Sequence, residues 1–102
     1  MVNRFPKISV LMPVYNGDKY LKKSINSILR QTFDDFEFII INDGSTDLSL
    51  SIIKSYQDKR IKIINNSKNI GIAYSLNKGL NIANGDYIAR QDQDDISLPE
   101  RF

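Results

Sequence analysis

Apolar positions along this chain alternate between near-continuous runs and stripes at helical spacing. The run Ile8-Ser9-Val10-Leu11-Met12-Pro13-Val14 is apolar almost throughout. A strand of that kind is covered on both faces, as in a parallel sheet. Asn16-Gly17-Asp18 then reads as a turn with a helix N-cap. Tyr20, Leu21, Ile25, Ile28 and Leu29 recur at helical spacing, which predicts an amphipathic helix over about 19–31. Phe36-Glu37-Phe38-Ile39-Ile40-Ile41 is a second buried strand. Ser45 or Thr46 is placed to cap a second helix with Leu48, Ile52, Ile53 and Tyr56 on its apolar face. Ile61-Lys62-Ile63-Ile64 is a third, shorter strand. Asn69-Ile70-Gly71 opens a third helix with Ala73, Leu76, Leu80 and Ala83 inward, and Asn84-Gly85 closes it. Residues 86–90 make a fourth strand. Ser97-Leu98-Pro99-Glu100 starts a further helix, with proline in its first turn.

The order β-α-β-α-β-α-β with short connections predicts an α/β fold. Right-handed crossovers give a mainly parallel sheet of about four strands with helices on both faces, a Rossmann-like arrangement. Ligands of such sheets sit at the carboxyl ends of the strands, where strand order reverses. Asn16, Asp43 and the run from Asp92 to Asp95 all lie just beyond strand ends.

The chain has 102 residues, enough for one small domain, and 41% hydrophobic residues, enough for a core. Its net charge is +2 with both signs interspersed; Lys22-Lys23 and Lys59-Arg60 are short pairs, not a nucleic-acid stripe. The absence of cysteine excludes a disulfide scaffold. No apolar run approaches membrane-spanning length, and Met1 to Lys7 does not read as a signal peptide. The expected location is the cytoplasm, or a membrane periphery reached through parts outside this chain.

Candidate chemistry concentrates in Asp92-Gln93-Asp94-Asp95, directly after the strand-like Asp86-Tyr87-Ile88-Ala89-Arg90. Three carboxylates within four residues repel one another, and a cation relieves that repulsion. With no cysteine and no histidine in the chain, any metal is held by oxygen, which favours Mg²⁺ or Mn²⁺ over Zn²⁺. Taken alone, the run reads better as a solvated acidic turn. Its weight comes from a second acid motif, Asn42-Asp43-Gly44-Ser45-Thr46-Asp47, at the end of another apolar strand.

These motifs resemble, in order, those of the family 2 inverting glycosyltransferases. They are Ile8-Ser9-Val10 running into Pro13-Val14-Tyr15-Asn16, then Asn42 to Asp47, then Asn69-Ile70-Gly71, then the DXD-type run Asp92-Gln93-Asp94-Asp95 with Pro99-Glu100-Arg101. The resemblance covers nearly the whole chain. It implies the nucleotide-binding N-terminal half of a GT-A nucleotide-diphospho-sugar transferase fold. It also implies transfer of a sugar, from UDP by default, to a glycan or lipid-linked acceptor in cell-surface polysaccharide synthesis. On that resemblance Asp43 reads the nucleotide base by accepting an imide N–H; capping the helix after it is the alternative. Pro13, Val14, Tyr15 and Asn16 match the nucleoside-lining segment, although an aromatic after a strand also serves as core filler. Asp94 and Asp95 match the acids nearest ribose, diphosphate and metal, with Asp95 the first choice of direct ligand. Asp92 is either a third ligand or orders the loop by accepting backbone N–H groups. Lys68, Asn69 and Gly71 match a loop beside the donor, where a helix N-terminus suits phosphate; a plain helix start is the equal alternative. Arg90 either reaches the diphosphate or neutralises the neighbouring acids.

An inverting transfer needs a general base. The family's base lies downstream of the metal motif, and Glu100 sits at a helix start where it complements the dipole. The resemblance therefore implies a truncated, catalytically incomplete single (sub)domain over 1–102, without the acceptor-binding half and prone to self-associate through residues 86–102. Rival readings are weaker. A nucleotidyltransferase would carry a glycine-rich basic loop where Tyr15-Asn16-Gly17-Asp18 stands, a phospho-receiver domain needs acids after the first strand, and no G-x-G-x-x-G follows that strand. A non-catalytic nucleotide-binding module stays open.

Overall fold

The structure is a computed structural model that describes residues 5–102; the first part of the Met1 to Lys7 segment read above lies outside the described residues. The elements run β1 (Ile8–Val14), α1 (Asp18–Leu29), β2 (Phe36–Asp43), α2 (Ser49–Lys54), β3 (Ile61–Asn66), α3 (Ile72–Ile82) and β4 (Tyr87–Arg90). The strands form one sheet in the order β3-β2-β1-β4, every pair parallel. From β1 the chain steps outward through β2 to β3, then returns to the far side of β1 as β4. Strand order thus reverses between β1 and β4, and that crevice is where a ligand site belongs.

The near-continuous apolarity of β1 and β2 has the expected cause: both faces of the sheet are covered. Val10, Met12, Val14, Phe38 and Ile40 pack against Leu21, Ile25 and Ile28 of α1 and Ile53 of α2. Leu11, Ile39 and Ile41 face the other way, against Leu76 and Ala83. Each such fully buried aliphatic side chain contributes about 1.5–3 kcal/mol.

One strand residue breaks the apolar run. Glu37 is only 3% exposed. Its carboxylate accepts from Lys62 Nζ at 2.6 Å, from the Asn84 N–H at 2.6 Å and from the Ser9 hydroxyl. Burial pushes its pKa up, but these bonds outweigh burial and hold it below the usual carboxylate value. The same group ties the turn after α3 to β1, because the Gly85 N–H donates to Ser9 Oγ.

Several expected details shift. Helix α2 is shorter than the pattern suggests, and neither Ser45 nor Thr46 caps it. Asp47 does, accepting the Ser49 N–H at 2.9 Å, while Leu48 lies outside the helix and 65% exposed. Tyr20 also faces solvent. The packed face of α3 is Ser75, Leu76, Gly79 and Ala83, with Ala73 and Leu80 turned outward; small residues seat this helix close to the sheet. The helix expected from Ser97 does not form. Its first free carbonyls are taken across the molecule, Leu98 O by Gln31 Nε2 at 2.7 Å and Pro99 O by the Thr32 N–H at 2.9 Å, leaving a turn. Glu100 therefore has no helix dipole to complement. Among the described residues no helix is long and apolar enough to cross a membrane.

Candidate functional site

The loops after β1, β2 and β3 are fastened to one another before any ligand is considered. Asn16, with φ 48°, accepts the Thr46 N–H at 2.8 Å and donates its own N–H to Ser45 Oγ at 3.0 Å. The Gly17 N–H donates to Ser49 Oγ at 3.0 Å, the Asp18 N–H donates to Asp47 Oδ2 at 3.2 Å, and Asp18 Oδ2 accepts the Leu48 N–H at 3.3 Å. Gly44 has φ 69°, and a Cβ there would stand 2.4 Å from the Lys68 carbonyl carbon. Only glycine lets the β2 and β3 loops meet so closely.

Asp43 closes this arrangement. It is 3% exposed, at the last position of β2. Its Oδ1 accepts the Ile70 N–H at 2.8 Å and Asn66 Nδ2 at 3.1 Å, and its Oδ2 accepts the Gly71 N–H at 2.9 Å. Burial raises its pKa, but the bonds from Ile70, Asn66 and Gly71, together with the nearby Ser75 hydroxyl, outweigh that and keep it ionised below the usual range. Asp43 therefore caps the loop before α3, not the helix that follows it. Of the three geometric bonds, two fall on Oδ1 and one on Oδ2.

That carboxylate lines a cavity of about 500 Å³ between β1, the start of α3 and the acid loop. Of the residues expected to hold a nucleotide, Pro13, Val14, Tyr15, Asp43, Gly71 and Asp94 line it. Tyr15 is 44% exposed, so it is not core filler. Asn16 and Lys68 do not line it: Asn16 is spent on the loop seam, and the Lys68 backbone is packed against Gly44. The Gly71 and Ile70 amides at the head of α3 point onto Asp43, so this helix start serves the chain's own carboxylate. Asn69 of the expected donor loop lines it too, as do Ile72, Arg90, Asp92 and Gln93.

The three acids of the loop separate. Asp94 lines the cavity and its carboxylate has no partner among the described residues. Asp92 also lines it and accepts Arg90 Nε at 3.0 Å. Asp95 faces a second cavity of about 490 Å³, and its carboxylate accepts the Asp92 N–H at 3.2 Å. The loop-ordering role weighed for Asp92 is thus played by Asp95. No three acidic side chains are gathered into one group among the described residues. Asp94 and Asp92 fit a hard divalent cation that takes its remaining oxygens from substrate and water.

Gln91 and Gln93 are the residues that pattern alone passes over. Gln91 is buried and donates to Ser24 Oγ, Ser27 Oγ and the Asp95 carbonyl, while accepting from Ser97 and Arg101. It pins the acid loop to α1. Glutamine beside aspartates carries no periodic signal that would have revealed this.

Residues 9–102 match the family model described as Glycosyl transferase family 2. The chain belongs to the family 2 glycosyltransferases. An uncharacterised glycosyltransferase of Haemophilus influenzae is 51% identical over 96 residues, covering 92% of this chain and 30% of that protein. S. aureus TarS, solved as residues 1–349 in complex with UDP, superposes with a TM-score of 0.86 at 34% identity, over 92% of this chain and 29% of that 1–349 chain. The same fold at 22% identity and a TM-score of 0.82 is that of mannosyltransferase PcManGT from Pyrobaculum calidifontis, solved with GDP-Man and Mn²⁺, over 91% of this chain and 29% of that one. The sheet is thus that of the GT-A glycosyltransferases. The chain spans about a third of the length of its curated relatives.

Proposed function

We propose that this chain is the donor-binding part of a glycosyltransferase that takes a UDP-sugar, with a divalent cation, and transfers the sugar with inversion to an acceptor hydroxyl. The observation that carries the reading is buried, ionised Asp43 in a cavity that also holds Asp94, whose carboxylate has no partner among the described residues. A carboxylate without protons accepts an imide N–H and repels the lone pair that cytosine carries at the same ring position, which favours uracil or thymine over cytosine. Pro13, Val14, Tyr15 and Ile72 flank a flat base with apolar surface. The TarS complexes with UDP and UDP-GlcNAc lend weight to the same donor class.

At the diphosphate end, Asp94 and Asp92 would hold Mn²⁺ or Mg²⁺, and Arg90 stands beside them. When bound, the cation offsets the diphosphate charge as the sugar–phosphate bond breaks. Asp43 keeps the nucleoside in register, and the apolar wall excludes water from its base. By the family resemblance, the acceptor's proton goes to a carboxylate outside residues 5–102. The relatives are about three times as long, and an acceptor-binding half would correspond to the part of them that this chain does not span. Alone, the 102 residues bind donor nucleotide and do not transfer sugar efficiently.

Titration calorimetry with UDP, dTDP, GDP and CDP, each with Mn²⁺ and with EDTA, tests this. UDP binding tightest, and tighter with Mn²⁺ by about tenfold or 1.4 kcal/mol, is the expected result. Indifference to both base and metal would refute it.

A further inference from the structure

Gln93 sits between the second and third acids, yet its side chain turns away from them. Its Oε1 accepts the Tyr15 N–H at 2.8 Å and its Nε2 donates to the Tyr15 carbonyl at 3.2 Å. One amide thereby pairs with both backbone groups of one residue, as a neighbouring strand would. The two partners are 78 positions apart in sequence and lie on opposite sides of the β1–β4 reversal. The amide also packs over Gly17, where a Cβ would approach Gln93 Cδ to 2.5 Å. Gln93 and Tyr15 both line the cavity. Asp92 and Asp94 flank Gln93 in sequence, and the Asp92 carbonyl is itself held by Ser24 Oγ at 2.9 Å.

We infer that Gln93 is a positioning residue that couples the nucleoside wall to the cation-holding acids. The inference rests on the donor-site reading above. The clasp fixes the distance between Tyr15, on which a base leans, and the carboxylates on either side of Gln93. A cation held by Asp92 and Asp94 then stabilises the loop position that also presents Tyr15, and a bound base stabilises the position that presents the acids. Such coupling is reciprocal: each ligand tightens the other by the same factor. Without the clasp the β1 loop and the acid loop move independently, and the two binding events become more nearly additive. An asparagine is one methylene too short to span the same gap, and an acid retains only the bond from the Tyr15 N–H.

The test is the ratio of the UDP dissociation constant in EDTA to that in Mn²⁺, measured by calorimetry on this chain and on Gln93→Met. Methionine keeps the unbranched packing over Gly17 and removes both hydrogen bonds. The expected result is an unchanged thermal transition and a ratio about fivefold or more below the parent's. A merely structural role would move the transition and leave the ratio alone. A folded Gln93→Met with the parent's ratio overturns the inference while the donor-site reading stands. A parent that shows no manganese gain overturns both. Should Gln93→Met lose its cooperative transition, Gln93→Glu, which keeps the bond from the Tyr15 N–H, is read by the same ratio. A value between one and the parent's supports the clasp; the parent's value refutes it.

Discussion

The two ends of the cavity are built on opposite plans. At one end Asp43 is buried, ionised and bonded to three donors from two other segments. At the other, Asp94 is exposed and without a partner, and Asp92 holds only a neighbouring arginine. Asp43 is the last residue of one parallel strand, and Asp94 lies beyond the end of another. The buried one is part of the fold and is held in place by it. The exposed one contributes nothing to the fold and keeps its full capacity for a cation. A site that reads a base needs a fixed acceptor, whereas a cation shared with a diphosphate needs ligands that adjust.

The sharpest way to break this contrast is Asp43→Ala. Three donors lose their acceptor at once, so stability should fall by about 3 kcal/mol in urea unfolding, and UDP binding with it. Strand-end placement alone would suggest a variant with its fold intact; the bonds to Ile70, Gly71 and Asn66 argue otherwise. Unchanged stability would mean that the three donors find water instead.

Asp94→Asn should do the reverse. Stability stays within about 0.5 kcal/mol, while the manganese-dependent gain in UDP affinity is lost. Asp95→Asn, at a carboxylate turned onto the Asp92 N–H, should reduce that gain less. A larger loss from Asp95 would reinstate it as the direct ligand.

Acid separates the ends as well. Asp43, Glu37 and Asp47 all have folded pKa values held below their ordinary ones. Their contribution is therefore complete above the ordinary carboxylate range, near pH 4, and is lost as pH falls through the folded values. Urea midpoints should be level between about pH 6 and 8 and drop below about pH 4. Asp43→Asn should flatten the acid limb; an unaltered limb would assign it to Glu37 and Asp47.

The smallest expected effect concerns β4, paired only with β1, with Tyr87 63% and Ile88 49% exposed. An open apolar edge favours pairing with a second copy. Light scattering at high concentration should show some dimer, reduced by Ile88→Lys. A strict monomer would mean that the short strand is too brief to pair.

Near-continuous apolar runs determined the strands, because only a sheet covered on both faces buries every residue of β2. Helical spacing found all three helices, and chain order alone put Pro13 to Tyr15, Asp43 and the acid run at one edge. What the sequence could not decide were choices made by partners far along the chain. Ser97 to Glu100 carries helix signals, yet Gln31 and Thr32, more than sixty positions earlier, take its carbonyls. Glu37 looks like an error in a buried strand until Lys62, Ser9 and Asn84 surround it. Asp94 and Asp95 are adjacent and chemically identical, and only the turn that carries the Asp92 N–H to Asp95 tells them apart. Burial preference is a property of each residue and repeats with the period of its element. Hydrogen-bond partnership is a property of pairs, and the pairs exist only once the sheet has brought the loops together.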